Sequence, residues 1–130
     1  RDIIEWLDSR PLGVSYTLDN GKQYHIAHAF HDRKLNYNNP SSLSPEEVNR
    51  TLRGIKTSWL YQGKKYSKYI GFWRNPTKRG AVDNHVLCAG HWEQVIVTDN
   101  CVVNDPGGHN TDGTIGVYNA LNHKITIYNN

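Results

Sequence analysis

The sequence predicts an α+β fold in which N-terminal helices pack on a C-terminal antiparallel β-sheet. Two observations carry this. The apolar residues recur at helical spacing in the first half of the chain and shift to alternation and turn-bounded runs after residue 85. The strongest helix-start signal lies at Ser44, whereas the paired-strand signals lie at 85–104 and 114–128. A chain of 130 residues fits one domain, since domains run to about 100–200 residues.

Taken in order, Asp2 to Asp8 places Ile3, Ile4 and Leu7 on one helical face, and Pro11 stops that helix. Val14 to Leu18 reads as a strand closed by the turn signal Asp19-Asn20-Gly21. Gln23 to Leu35 contains no Gly or Pro and carries a small apolar stripe of Ile26, Ala27 and Phe30, so a helix is expected there. Asn36 to Ser42 is loop chemistry. Ser44-Pro45-Glu46-Glu47 combines an N-cap Ser, a Pro at the first helical position and a Glu at the third, a capping box with acidic residues at the positive end of the dipole. Val48, Leu52, Ile55 and Trp59 extend that helix over about 45–60, and Gly63 breaks it. Lys65 to Trp73 alternates Tyr and Lys as a strand would. His85 to Thr98 reads as one long strand, Asp99-Asn100 as a tight turn and Cys101 to Asn104 as the return strand, ended by Asp105-Pro106-Gly107-Gly108. A second hairpin spans 114–118 and 124–128.

Composition excludes several classes. With 37% hydrophobic residues, four Trp and eight Tyr, the chain can bury a core, so wholesale disorder is excluded. No apolar run approaches the roughly 18 residues of a membrane span. Two Cys do not build a disulfide scaffold, and two buried free thiols are the plainest reading, with a Cys88–Cys101 bridge the alternative. The chain starts at Arg1 and contains no Met or apolar signal segment, as a processed piece of a larger secreted, delivered or virus-encoded protein would.

The net charge of +3 conceals an uneven distribution. Between Val48 and Val82 there is no Asp or Glu, yet nine of the fifteen Lys and Arg residues sit there: Arg50, Arg53, Lys56, Lys64, Lys65, Lys68, Arg74, Lys78 and Arg79. Trp59, Tyr61, Tyr66, Tyr69 and Trp73 are interleaved with them. Arg53, Lys56, Lys64, Lys65, Lys68, Trp73 and Arg74 are the candidate binding residues for RNA or another anionic ligand at 50–79, against the alternative of a solvated face over buried aromatics.

The most informative segment for chemistry is Gly90-His91-Trp92-Glu93-Gln94-Val95-Ile96-Val97 through Asn104-Asp105-Pro106-Gly107-Gly108. A His starts one strand and an Asp ends its neighbour fourteen residues later, a pairing suited to an imidazole oriented by a carboxylate and serving a thiol as general base. The register sets a condition. A two-residue turn at Asp99-Asn100 turns His91 and Asp105 to opposite faces, and one bulge or a three-residue loop returns both, with His109, to one face.

On these residues the segment resembles the papain-like cysteine hydrolase superfamily, specifically the "GHW…(N)DP-G" stretch of bacteriocin-processing peptidases and papain-fold toxins, over about twenty residues. Gln23-Tyr24-His25-Ile26-Ala27-His28-Ala29-Phe30 is similar to the family's nucleophile segment with Ala at the cysteine position. The resemblance implies a papain-like fold and a peptide- or amide-cleaving activity on a peptide or protein substrate, without cofactor. It implies His91 as base, Asp105 as its orienter, Ala27 as a substituted nucleophile position and Gln23 as the oxyanion donor, and hence such a hydrolase, or toxin-type effector, or its nucleophile-substituted inactive form. A toxin of this kind implies a neutralising partner protein. Asn100-Cys101 echoes the permuted papain-like lipid hydrolases, with His25 or His28 as base.

Two other classes stay open. Metal-free ribonucleases need one His as base, another as acid and a cation for the phosphorane, and this chain has seven His and a basic, aromatic middle. A non-catalytic module could use the same surface for RNA, glycan or protein. His25, His28 and His31, three apart, would line one side of a helix, where they are solvated or bind a metal; no His-Glu-x-x-His or Cys-x-x-Cys is present, and no metal site is assigned.

Overall fold

The computed structural model describes residues 2–74, 82–108 and 113–129. Its elements in chain order are α1 (Asp2–Asp8), β1 (Gly13–Thr17), β2 (Gln23–Ala27), α2 (Pro45–Arg53), β3 (Ile55–Tyr61), β4 (Lys64–Ile70), β5 (His85–Ala89), β6 (Val95–Val97), β7 (Cys101–Asn104), β8 (Ile115–Asn119) and β9 (Lys124–Tyr128). The fold is mixed α and β, with few helices and mostly strands.

The principal sheet has five strands in the order β1-β2-β5-β7-β6. The β1–β2 and β6–β7 pairs are antiparallel, while β2–β5 and β5–β7 are parallel. This corrects the expected C-terminal antiparallel sheet: two of the five strands come from the N-terminal third. Among the described residues, β3–β4 and β8–β9 form separate antiparallel hairpins. The helices do not cover the sheet as expected either. On α1, Ile3, Ile4 and Trp6 are exposed.

Each face of the sheet carries its own apolar cluster, as the two-residue side-chain period requires. Leu87, Ala89, Cys101 and Val103 face Phe30, Phe72 and the half-buried Trp73 and Trp92. Tyr24, Val86, Cys88 and Val102 face Tyr118, Ala120 and Ile125 of the β8–β9 hairpin. Cys88 and Cys101 therefore point to opposite faces and are free thiols, as the plainest reading had it.

Several expected elements form as read. The capping box at Ser44 is complete: Ser44 Oγ accepts from Glu47 N, and Glu47 Oε1 accepts from Ser44 N. The two-residue turn pairs Thr98 with Cys101, and the β8–β9 hairpin falls within a residue of its expected place. Three expectations are overturned. Residues 23–35 are not a helix: 23–27 is β2, hydrogen-bonded to β1 on one side and β5 on the other. The helix from 45 ends at Arg53, because Gly54 adopts φ +92 and caps it by donating to Arg50 O. Beyond it, Ile55, Thr57, Trp59 and Tyr61 favour a strand, and Gln62 and Gly63, both with positive φ, make the two-residue turn into β4. The single strand expected over 85–98 is broken at 90–94, where His91 and Glu93 have left-handed backbones. Among the described residues no helix is long and apolar enough to cross a membrane.

Candidate active site

The site forms where the loop leaving β2 meets the break between β5 and β6. His28 follows Ala27 directly. Its carbonyl accepts from Gly90 N at 3.0 Å, and the next residue, Ala29, accepts at its carbonyl from Trp92 Nε1 at 2.9 Å. Ala29 N and Phe30 N both donate to Thr51 O, so the segment is pinned between α2 and the 90–92 turn. Across that turn Trp92 N donates to Gly90 O at 2.8 Å, closing a γ-turn on His91 with φ +66. This is the rarer, strained hand of that turn, and a non-glycine residue held there costs about 1–3 kcal/mol.

That geometry presents the His91 ring to His28. His28 Nε2 and His91 Nδ1 lie 3.0 Å apart, with ring centroids 4.8 Å apart, and both residues are exposed. One nitrogen of the contact donates and the other accepts, so the pair is held by a single proton. Burial against the turn lowers the proton affinity of His91. The neighbouring His28 and Arg53 lower it further, and Asp105 pulls the other way. Arg53 stands at the end of α2 beside Gly54, where a Cβ would collide with the Trp92 ring. Glycine at 54 lets Trp92 pack under the helix end, and Arg53 lies close enough to act on the neighbouring His91.

Asp105 acts through the backbone. Its Oδ2 accepts from Glu93 N at 3.0 Å and its Oδ1 from Gly107 N at 3.1 Å. It braces the 90–94 break instead of gripping the His91 ring. The regular two-residue turn at 99–100 is the reason: with no bulge in β6–β7, the only irregularity is the break that lifts His91 out of the strand.

The remaining predicted residues divide. Gln23 and Ala27 lie on β2, where Gln23 is registered with Thr17 and His85, and Ala27 with Gly13 and Ala89. Ala27 is buried in a strand and caps no helix. Lys64 and Lys68 share one face of the β3–β4 ribbon with Thr57, Trp59, Tyr61 and Tyr66; Lys56 and Lys65 lie on the other. Trp59 and Tyr66 stack at 5.9 Å, with Lys64 Nζ 5.7 Å from the Tyr66 ring and Lys68 Nζ 5.9 Å from the Trp59 ring. Arg74 is exposed, whereas Trp73 packs edge-on to Phe72 and Trp92 and supports the core. Lys78, Arg79 and His109 lie outside the described residues. His25, His28 and His31 do not line one helix face, and no group of metal-ligating side chains occurs among the described residues.

Sequence reasoning singled out His91 and missed its partner. His28 was one of three histidines on an expected helix; only the strand ending at Ala27 sends its side chain to a residue 63 positions away. No protein-family model, no curated protein and no solved structure matches this chain.

Proposed function

We propose that this chain cleaves single-stranded RNA by metal-free transesterification. The observation that carries the proposal is the His28–His91 pair, 3.0 Å apart and exposed, beside Arg53 at the root of a basic, aromatic ribbon. His91, whose proton affinity is lowered, is neutral at pH 7 and takes the proton of a ribose 2′-hydroxyl. O2′ then bonds to the adjacent phosphorus and the P–O5′ bond breaks. As His91 takes that proton on Nε2, the shared proton passes from His91 Nδ1 to His28 Nε2 and His28 gives its Nδ1 proton to O5′, while Arg53 stabilises the charge that builds on the phosphorane oxygens. The products are a 2′,3′-cyclic phosphate and a free 5′-hydroxyl. On the ribbon, the Trp59–Tyr66 stack offers a platform for unpaired bases, and Lys64 and Lys68 offer cations for the backbone.

The papain-like cysteine hydrolase reading draws less support. Residues 23–27 are strand where that chemistry needs a helix start. Burial pushes the Cys88 thiol up to about 12 and raises Cys101 as well, so neither supplies a thiolate at neutral pH.

The test is incubation of a fluorescent single-stranded RNA with the protein in EDTA, with products read by mass spectrometry. Cleavage to 2′,3′-cyclic ends is expected, with the DNA analogue untouched. His28→Gln and His91→Gln should each slow cleavage by about 100-fold or more. Absence of cleavage at micromolar protein sinks the proposal; salt-sensitive binding without cleavage would leave a non-catalytic anion-binding module.

A further inference from the structure

A second histidine pair bridges β2 and β5 beside β1, and its hydrogen bonds have a determinable direction. Ser15 of β1 is the cross-strand partner of His25 of β2, and Ser15 Oγ lies 2.8 Å from His25 Nδ1. His25 Nε2 lies 2.8 Å from Nδ1 of His85, at the start of β5. Arg33 Nη1 lies 3.3 Å from that same His85 Nδ1. A guanidinium can only donate. His85 Nδ1 is therefore the acceptor and carries no proton. His25 must then donate to it through Nε2–H, which leaves Nδ1 of a neutral His25 bare. The Ser15 hydroxyl consequently donates to His25 Nδ1. Arg33 sets the polarity of the whole chain, from Ser15 through His25 to His85.

This is the arrangement of an activated serine: a hydroxyl hydrogen-bonded to the free nitrogen of an imidazole whose other nitrogen is oriented by a third group. Access fits the role. Ser15 is exposed while His25 is buried, so the hydroxyl sits at the rim and the base behind it. Both line a cavity of about 220 Å³, whose wall also holds Arg33, Asn36 and Asn38 as N–H donors. In the same wall His31 Nδ1 is buried with no hydrogen-bond partner among the described residues, a polar atom left for a bound group to satisfy.

We propose that Ser15 is a nucleophile with His25 as its general base and His85 as the positioning residue, and that this cavity hydrolyses small polar carboxylic esters. Ser15 Oγ bonds to the ester carbonyl carbon while its proton passes to His25 Nδ1. The C–O bond to the leaving alcohol breaks, and that oxygen takes the proton back from His25. Water then adds to the acyl carbon, gives its proton to His25, and the acyl–Oγ bond breaks to release the acid and return the proton to Ser15. While His25 is protonated it faces His31, Arg33 and His85, and Asp32 acts on the neighbouring His31. The Nε2–H···Nδ1 bond moves part of the positive charge onto His85, the less buried ring.

Sulfonylation tests the proposal independently of RNA cleavage. Phenylmethanesulfonyl fluoride forms an Oγ–S bond and expels fluoride, and peptide mass spectrometry locates the adduct. Ser15 should be labelled in the intact protein, and p-nitrophenyl acetate should be hydrolysed with an activity lost in Ser15→Ala. Labelling should slow at least tenfold in His25→Gln and in His85→Leu. It should recover in His85→Asn, whose amide oxygen replaces Nδ1 as acceptor for His25, which a merely structural role for His85 would not produce. An unlabelled Ser15 overturns the proposal, as does one labelled at the same rate in the His25 and His85 variants. Should His25→Gln fail to fold, the two His85 variants decide the outcome, since that residue sits at a strand's half-exposed end.

Discussion

Acid should destabilise this protein well above the pH at which most carboxylates titrate. His25 is 7% exposed and His31 4%, with ring centroids 5.2 Å apart. Burial is the largest effect on both, followed for His25 by His85 and Arg33 and for His31 by His25; each is lowered from an ordinary 6.5 to about 4. The unfolded chain takes up both protons near 6.5, whereas the folded chain refuses them until about 4. Between those values the unfolded state holds more protons, so stability is complete above about 6.5, falls as the pH drops toward 4 and levels off below. At about 1.4 kcal/mol for each tenfold change in proton affinity, either ring alone sets a ceiling near 3 kcal/mol. The rings repel each other when charged, so their effects overlap, and a combined loss of roughly 3–5 kcal/mol is expected against the about 5–15 kcal/mol of a typical domain. Urea midpoints from tryptophan fluorescence at pH 7, 6, 5 and 4.5 measure this. His31→Phe supplies the control: its Nδ1 has no partner among the described residues and its ring packs on Tyr37 at 4.6 Å, so the substitution should remove about half of the pH dependence. Midpoints that stay flat from pH 6.5 to 4.5, or a variant with the wild-type slope, would refute the reasoning.

Three further outcomes follow from the same geometry. Gly54→Ala meets both φ +92 and the Trp92 ring, so a loss of about 2 kcal/mol or more in chemical denaturation is expected, with RNA cleavage falling as Trp92 and His91 shift. Replacing Lys64 and Lys68 together by Ala should weaken RNA binding and flatten the plot of log K against log salt by roughly 1.4, at about 0.7 per phosphate contact for single strands; an unchanged slope would remove the ribbon from the interface. Cys88 and Cys101 should resist a thiol reagent such as Ellman's in the native protein and react at once in urea, because burial raises both and pushes Cys88 up to about 12; rapid native labelling would contradict their burial.

The sequence by itself determined the features that close within a few residues. Ser44 to Glu47 specify their own cap, because both hydrogen bonds join residues three apart. Leu18 accepts from Gly21 across the Asp19-Asn20-Gly21 turn, and Thr98 pairs with Cys101 across Asp99-Asn100. The basic, carboxylate-free stretch from 49 to 81 was also legible, since charge is a property of residues and not of their arrangement. Tertiary structure decided the rest. Gln23 to Phe30 contains no breaker and spaces its apolar residues as a helix would, yet hydrogen bonds to β1 and to β5, some sixty residues on, draw 23–27 into the sheet. With that strand go the histidines. His25 meets His85 across 60 residues and His28 meets His91 across 63. No local pattern encodes such a meeting, because only strand pairing fixes which side chains share a face and which loop ends converge. His91 could be singled out as a candidate from its neighbours in sequence; that it meets His28 depended on the strand that delivers His28.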